Sequence, residues 1–252
     1  MRYFLTLAYR GTRYAGWQRQ INASSVQETL ETALATILRQ PVELTGCGRT
    51  DTGVHARYFV AHTDISGELP STFLNGLNSL LPDDIAVFSA HPMPPGSHAR
   101  FDAFERSYEY TILFRKDPFA VETAWFYPQG QHLDLEKVQA VAALLPAFQV
   151  FFPFCKTHSG VENYSCSISR AQWHMDTDAH RMVFQITANR FLRGMVRLIV
   201  GACIQAGQRQ LEIEAVRSAL QNQTSLKKSL SAPPQGLALT EVKYPYPVGS
   251  GQ

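Results

Sequence analysis

The segment "GCGRTDTGVHARYF", residues 46–59, holds a single aspartate among glycines and arginines, between two stretches of strand-like sequence. "VELTG", residues 42–46, is typical of a short strand that runs into it, and "RYFVAHTD", residues 57–64, of the strand that leaves it. We therefore expect Asp51 on a loop between two strands. An aspartate in a turn often bonds only nearby backbone amides, so a structural role for Asp51 is the alternative at this point.

Regular elements flank this segment on both sides. Residues 2–9 alternate as in a strand, with the odd-numbered residues on one face, and residues 25–40 predict an amphipathic helix that opens with a capping box, Ser25 and Glu28. Further strands are predicted at 84–91, 106–114, 168–176, 182–188 and 236–244, and further helices at 70–81, 134–145, 189–206 and 212–222. Because strands and helices do not alternate strictly, the pattern favours an α+β fold with largely antiparallel sheets.

The chain is long enough for two domains of ordinary size. Residues 91–101, "HPMPPGSHARF", are rich in proline, as expected close to a domain boundary. The half of the chain that follows again contains predicted strands and helices, as the first half does. We predict two similar mixed α/β domains with a cleft between them. Residues 1–104 would carry the Asp51 loop, and residues 105–252 would form the second domain.

Composition excludes a disordered chain and argues against a membrane protein. Hydrophobic residues make up 45% and charged residues 17% of the sequence, which provides ample material for a core. No uninterrupted apolar run approaches the roughly 20 residues that cross a bilayer, and the first residues lack the pattern of a secretory signal. We expect a cytoplasmic protein that has no membrane partner.

The four cysteines are Cys47, Cys155, Cys166 and Cys203, and no two of them form a CxxC pair. In a chain without a secretory signal we interpret them as reduced thiols. A zinc site could be drawn from Cys155, His158, Cys166 and His174. Its spacings match no common zinc finger, so packing is the favoured interpretation and no metal is expected.

Arginines are concentrated in two places, although the formal net charge is only +2. Residues 1–20 and residues 186–211 each hold four arginines and no acidic residue. Within the predicted helix 189–206, Arg190, Arg193 and Arg197 recur at helical spacing and would share one face. Such patches suit a polyanionic partner, although solvated arginines are the alternative for either patch alone.

Six collinear segments of the chain stand out: "GCGRTDTGVHA" around Asp51, "YAGWQRQ" from Tyr14 to Gln20, "SVQE" at the first helix, "HARF" followed by "RSYEY", "NRFLRGMVRLIVG", and "GLALTEVKYP". In these residues and in their order, from about Tyr3 to Pro245, the chain resembles the tRNA pseudouridine synthase A family. Residues 151–175 match less clearly, and no role is carried over there.

The resemblance implies isomerisation of uridine to pseudouridine in the anticodon stem-loop of tRNA, by a homodimer and without a cofactor. The family uses one aspartate as nucleophile, and Asp51 is its counterpart. Arg197 matches the cation that keeps this carboxylate ionised, and Tyr108 matches the residue that stacks on the target base. Arg49 matches the loop arginine that helps to displace the flipped nucleotide. Four further residues in the matching segments are implied substrate contacts: Gln18, Arg19, His55 and Arg193.

Two other classes of function stay open on the residues alone. A metal-dependent hydrolase could be built from Asp51, His55, His62 and Asp64, although His55 precedes the strand that carries the last two. An RNA-binding module without catalysis would leave Asp51 structural. A glycosidase is disfavoured, because that chemistry normally needs two carboxylates and the loop offers one.

Overall fold

A computed structural model describes residues 1–156, 160, 162–227 and 230–249. The chain divides into two compact units. The N-terminal unit comprises Met1–Glu105 together with the stretch that begins at Ala238, and the second unit comprises Arg106–Leu237. Both units contain helices and mostly antiparallel strands, which confirms the α+β class.

The elements of the N-terminal unit are β1 (Arg2–Tyr9), α1 (Val26–Leu38), β2 (Thr45–Gly46), β3 (His55–Asp64), α2 (Phe73–Leu80), β4 (Ile85–Met93) and β9 (Leu237–Lys243). The strand order within this unit is β4-β1-β3-β9, so β1 lies between β4 and β3, and β2 also pairs with β3. The β3–β9 pair is parallel, and the other pairs are antiparallel.

Strand β9 accounts for the difference between the two units and the predicted domains. The sequence-based division placed residues 105–252 together. In the structure, Ala238 and Leu239 pair in parallel with His55 and Ala56 of β3. A parallel partner needs a long crossover, and here the strand that pairs with the first residues of β3 comes from the far end of the chain.

Strand β1 is buried on both faces. The odd-numbered residues Tyr3, Leu5 and Leu7 are buried as predicted, but Phe4 and Thr6 on the opposite face are buried as well. Thr6 shares a hydrogen bond with Ser89 of β4 at 2.5 Å between the two hydroxyl oxygens, which satisfies this polar group inside the core.

Helix α1 begins as its capping box predicts. Ser25 has extended backbone angles, and its hydroxyl accepts the Glu28 N–H at 3.2 Å. Such a cap contributes about 1 kcal/mol to helix stability. The helix ends at Leu38, and Arg39 adopts a left-handed conformation with φ 54°.

The elements of the second unit are β5 (Glu105–Leu113), β6 (Trp125–Phe126), α3 (Leu135–Leu144), β7 (Ile168–Asp176), β8 (Arg181–Ala188), α4 (Met195–Gly207) and α5 (Ile213–Asn222). The strand order within this unit is β5-β8-β7, and the short β6 pairs in parallel with β5.

Across the described part of the chain, no helix combines the length and the apolar character that a membrane span requires.

The prediction of a helix over residues 189–206 is wrong at its start. Helix α4 begins only at Met195, because Gly194 before it adopts φ 70°, a left-handed conformation that ends the helix on its N-terminal side. Arg190 and Arg193 therefore precede the helix, and only Arg197 lies on it. The expected face of three arginines on one helix does not exist.

His62 lies in the interior of the N-terminal unit. Its ring stacks on Phe4 with centroids 5.8 Å apart, and its Nδ1 accepts the Ala99 N–H at 3.1 Å. The pKa of His62 is lowered to about 4, mainly by burial and to a smaller extent by the positive charges of Arg2 and His98.

We expect the free energy of unfolding to fall as the pH is lowered from about 6.5 to about 4. In this window His62 binds a proton only in the unfolded chain, which amounts to a loss of up to about 3 kcal/mol. His62→Gln keeps an acceptor for the Ala99 N–H but does not titrate, so its unfolding free energy should depend less on pH. Urea unfolding at pH 7 and pH 4.5 measures the difference. Equal losses in the parent and the variant would contradict the assignment.

Candidate active site

Asp51 lies, as predicted, on a loop between two strands, β2 and β3, and is half-buried. Its carbonyl accepts the Val54 N–H at 3.1 Å, and Gly53 inside this turn has φ 77°. The turn is closed by backbone groups and a glycine that tolerates a positive φ.

Two glycines let a neighbouring segment approach the back of this loop. A Cβ on Gly11 would lie 2.0 Å from the Val54 carbonyl oxygen, and one on Gly16 would lie 2.2 Å from the Thr50 carbonyl oxygen. The Tyr14 carbonyl accepts the Gly53 N–H at 3.2 Å. Residues 11–16 therefore hold the Asp51 loop through direct backbone contact, which only glycine permits at two points.

The residue before Asp51 is anchored by a buried hydroxyl pair. The oxygens of Tyr9 and Thr50 lie 2.9 Å apart, and both residues are buried. Trp17 stacks on Phe59 of β3 at 4.1 Å between ring centroids. Neither Tyr9 nor Trp17 was predicted from the sequence as a support of the loop, although Trp17 lies in the "YAGWQRQ" segment.

His55 supports the same loop from the interior. It is only 4% exposed, and its Nδ1 accepts the Gly11 N–H at 2.9 Å. This bond ties the first residue of β3 to the segment behind Asp51. The assignment of His55 as a substrate contact stays a prediction, and its bond to Gly11 is a structural contact.

Gln18 and Arg19 are held against helix α1. Gln18 donates to the Gln27 side-chain oxygen at 2.9 Å. The exposed Arg19 guanidinium lies 3.6 Å from the Glu28 carboxylate and 3.5 Å from the Glu31 carboxylate. A phosphate that binds Arg19 would compete with these two carboxylates.

Arg49 lies two residues before Asp51 and is exposed. The neighbouring Gly48 has open space where a Cβ would be, since nothing lies within 4 Å of that position. The loop therefore presents one arginine to solvent beside the half-buried aspartate.

In the second unit, Tyr108 lies on β5 and is half-buried. Tyr108 packs edge-to-face on Phe191, with ring centroids 5.1 Å apart and an interplanar angle of 86°. This arrangement fixes the Tyr108 ring while part of it stays exposed. No role was predicted for Phe191 from the sequence, although it lies in the "NRFLRGMVRLIVG" segment.

Arg197 is the arginine that α4 carries into a partly buried position. Its Nε donates to the Ala232 carbonyl at 2.6 Å, and the Ala232 N–H donates back to the Arg197 carbonyl at 3.0 Å. Burial raises the pKa of Tyr110, and the nearby Arg197 charge opposes this rise. Arg197 is thus tied at both its guanidinium and its backbone.

Arg193 differs from Arg197 in its surroundings. It is exposed and precedes α4, and its carbonyl accepts the Lys156 N–H at 3.0 Å. Its role as a substrate contact stays a prediction.

Two possible metal sites were considered from the sequence, a hydrolase site and a zinc site, and the described residues form neither. Within the ranges that the structure describes, no group of three or more His, Cys, Asp and Glu side chains could hold a metal ion. His158, a member of the drawn zinc site, lies outside the described residues.

Comparison with known proteins gives a match over most of the chain. The family model described as tRNA pseudouridine synthase matches residues 6–102 and 149–245. The chain belongs to the tRNA pseudouridine synthase family. As a member of this family it is an isomerase that acts on uridine in tRNA.

Relatives of the family match nearly the whole chain. A protein named tRNA pseudouridine synthase A from Porphyromonas gingivalis is 44% identical, with 97% of each chain covered. Proteins of the same name from Bacteroides thetaiotaomicron and Neisseria gonorrhoeae are 44% and 37% identical, and each match covers 97% of this chain and 91% and 92% of the relative. The resemblance drawn from six segments is therefore confirmed.

Proposed function

We propose that this tRNA pseudouridine synthase isomerises uridines in the anticodon stem-loop, with Asp51 as the nucleophile. The observation that carries the proposal is the Asp51 loop. A half-buried carboxylate stands on a turn that is held from behind by glycine contacts and a buried hydroxyl pair, beside the exposed Arg49. Such construction fixes a reacting group in place before the substrate binds.

The chemistry needs one nucleophile and no redox partner. The glycosidic bond between the sugar carbon and the base nitrogen breaks, and the same base rejoins the same sugar through a ring carbon. That ring carbon loses a proton and the freed nitrogen gains one, so atoms and charge balance without a cofactor. Asp51 would form the covalent bond that holds the intermediate between the two steps.

The other residues support this step in defined ways. Tyr108, fixed by Phe191, offers a ring face for stacking on the target base, and its hydroxyl could accept the proton that the base carbon loses. By the family resemblance, Arg197 would be the cation that accompanies the nucleophile. A target within a stem-loop must leave the stack, which costs a few kcal/mol, and Arg49 would occupy the place of the displaced nucleotide.

Two further expectations belong to the proposal. The family resemblance implies a homodimer, and we expect a cytoplasmic protein. Gel filtration with light scattering checks the first and cell fractionation checks the second.

The test of the proposed function uses unmodified tRNA transcribed in vitro. The purified protein should form pseudouridine within the anticodon arm, and EDTA should not stop the reaction as long as the tRNA stays folded, since the isomerisation needs no Lewis acid. Mapping by chemical labelling of pseudouridine identifies the sites. Pseudouridine only outside the anticodon arm would refute the proposed target, and activity that EDTA abolishes and zinc restores would refute the mechanism.

A further inference from the structure

The turn at residues 98–101 of the N-terminal unit presents an arginine and an aromatic ring to solvent. The Phe101 side chain is 74% exposed, which is unusual for a large apolar residue. The Arg100 guanidinium carbon lies 5.7 Å from the centroid of this ring. We call this pair of exposed side chains the Arg100–Phe101 turn.

The backbone of this turn is fixed by His98. Its Nδ1 accepts the N–H groups of Arg100 and Phe101, at 3.1 and 3.2 Å, and its ring lies 4.2 Å from the Phe101 ring. The Asp102 carboxylate accepts the His98 N–H at 2.7 Å. An exposed aromatic ring on a fixed backbone loses little conformational freedom when it binds a partner.

The Arg100–Phe101 turn is attached to the end of β3 that is remote from Asp51. The buried Ala99 donates its N–H to His62, and its carbonyl accepts the Tyr244 hydroxyl at 2.6 Å. His62 lies seven residues beyond His55, the first residue of β3 after the Asp51 loop. At about 3.3 Å per residue, the turn lies roughly 20 Å from the Asp51 loop along the strand.

The charges around the turn suit an anionic partner. The Asp64 carboxylate is engaged by Arg2 at 2.7 Å, and the Asp102 carboxylate accepts the Tyr246 hydroxyl and the His98 N–H. Arg100 is exposed and lies two residues before Asp102 in the chain. An arginine and an aromatic ring side by side match the phosphate and the base face of an unpaired nucleotide.

We propose that the Arg100–Phe101 turn is a second contact for tRNA, which binds a nucleotide outside the anticodon stem-loop. The inference rests on the proposed function, because that function makes the anticodon stem-loop the part of the tRNA that reaches Asp51. The turn then contributes to the affinity for tRNA and takes no part in the isomerisation.

The test compares equilibrium binding of full-length tRNA with binding of an isolated anticodon stem-loop. Phe101→Ala and Arg100→Gln should each weaken binding of full-length tRNA about tenfold, as expected for the loss of one stacking or phosphate contact. Their binding of the stem-loop and their single-turnover rate on saturating tRNA should equal those of the parent. Arg100→Gln should also reduce the slope of log affinity against log salt by about one unit.

Two variants serve as matched controls. Phe88→Ala removes another exposed phenylalanine of the N-terminal unit, and Arg217→Gln removes another surface arginine, which pairs with Glu214 on α5. Both controls should bind full-length tRNA as the parent does, and thermal melting checks that all variants are folded.

Each outcome decides the proposal. Unchanged binding of full-length tRNA by both turn variants would overturn it, and so would an equal loss on the isolated stem-loop, since the turn would then contact the target region itself. Failure of the proposed function would show differently, as absence of pseudouridine in the anticodon arm with the parent protein.

Discussion

Asp51→Asn is expected to abolish pseudouridine formation while leaving tRNA binding almost unchanged. The amide has nearly the same size as the carboxylate but carries no negative charge and is a poor nucleophile, so the covalent step cannot begin. Affinity comes mainly from arginines that face phosphates, so it should persist and should fall with salt in the parent and the variant alike. Filter binding and single-turnover pseudouridine yield on one preparation measure both quantities.

Asp83→Asn is the matched control for this variant. Asp83 is an exposed aspartate of the same unit, and its replacement changes the net charge equally. The control should retain the parent rate. If Asp51 were only a turn residue, Asp51→Asn would lower the melting temperature and weaken binding and turnover together. Turnover above a small fraction of the parent rate would remove Asp51 from the role of nucleophile.

Arg197→Met is expected to reduce the single-turnover rate by about a hundredfold or more, with a small effect on tRNA affinity. Loss of one fixed charge that stabilises the reacting groups has an effect of about this size in other enzymes. The substitution also leaves the Ala232 carbonyl without its 2.6 Å donor, so some loss of stability is expected. Single-turnover kinetics well below the melting temperature of the variant isolate the effect on the reaction.

Two companion variants separate charge from structure. Arg197→Lys keeps the positive charge but loses the planar guanidinium, so it should recover part of the rate if charge matters. Arg193→Met removes the exposed arginine that precedes α4, and it should weaken tRNA binding more than it slows the reaction. A parent-like rate in Arg197→Met would show that this arginine only ties α4 to Ala232.

The sequence determined the local features of this protein because each depends on residues close together in the chain. Ser25 and Glu28 lie three residues apart, which is the spacing of a cap, and the helix begins there. Alternation over residues 2–9 and 106–114 predicted β1 and β5 almost to the residue. The segment around Asp51 and five collinear segments identified the family, since their residues and order are specific.

Tertiary structure decided what depends on residues distant in sequence. The pattern over 189–206 fitted one helix, yet the Arg193 carbonyl accepts the N–H of the distant Lys156 at 3.0 Å. Gly194 adopts a left-handed conformation there and α4 begins after it, which removed the predicted arginine face. His55 looked like a residue available to substrate, but Gly11, 44 residues away, occupies its Nδ1 inside the core. The last strand joins the unit that carries Asp51 through parallel backbone pairing with β3. The sequence did not reveal this pairing, because side-chain alternation predicts a strand but not its partner.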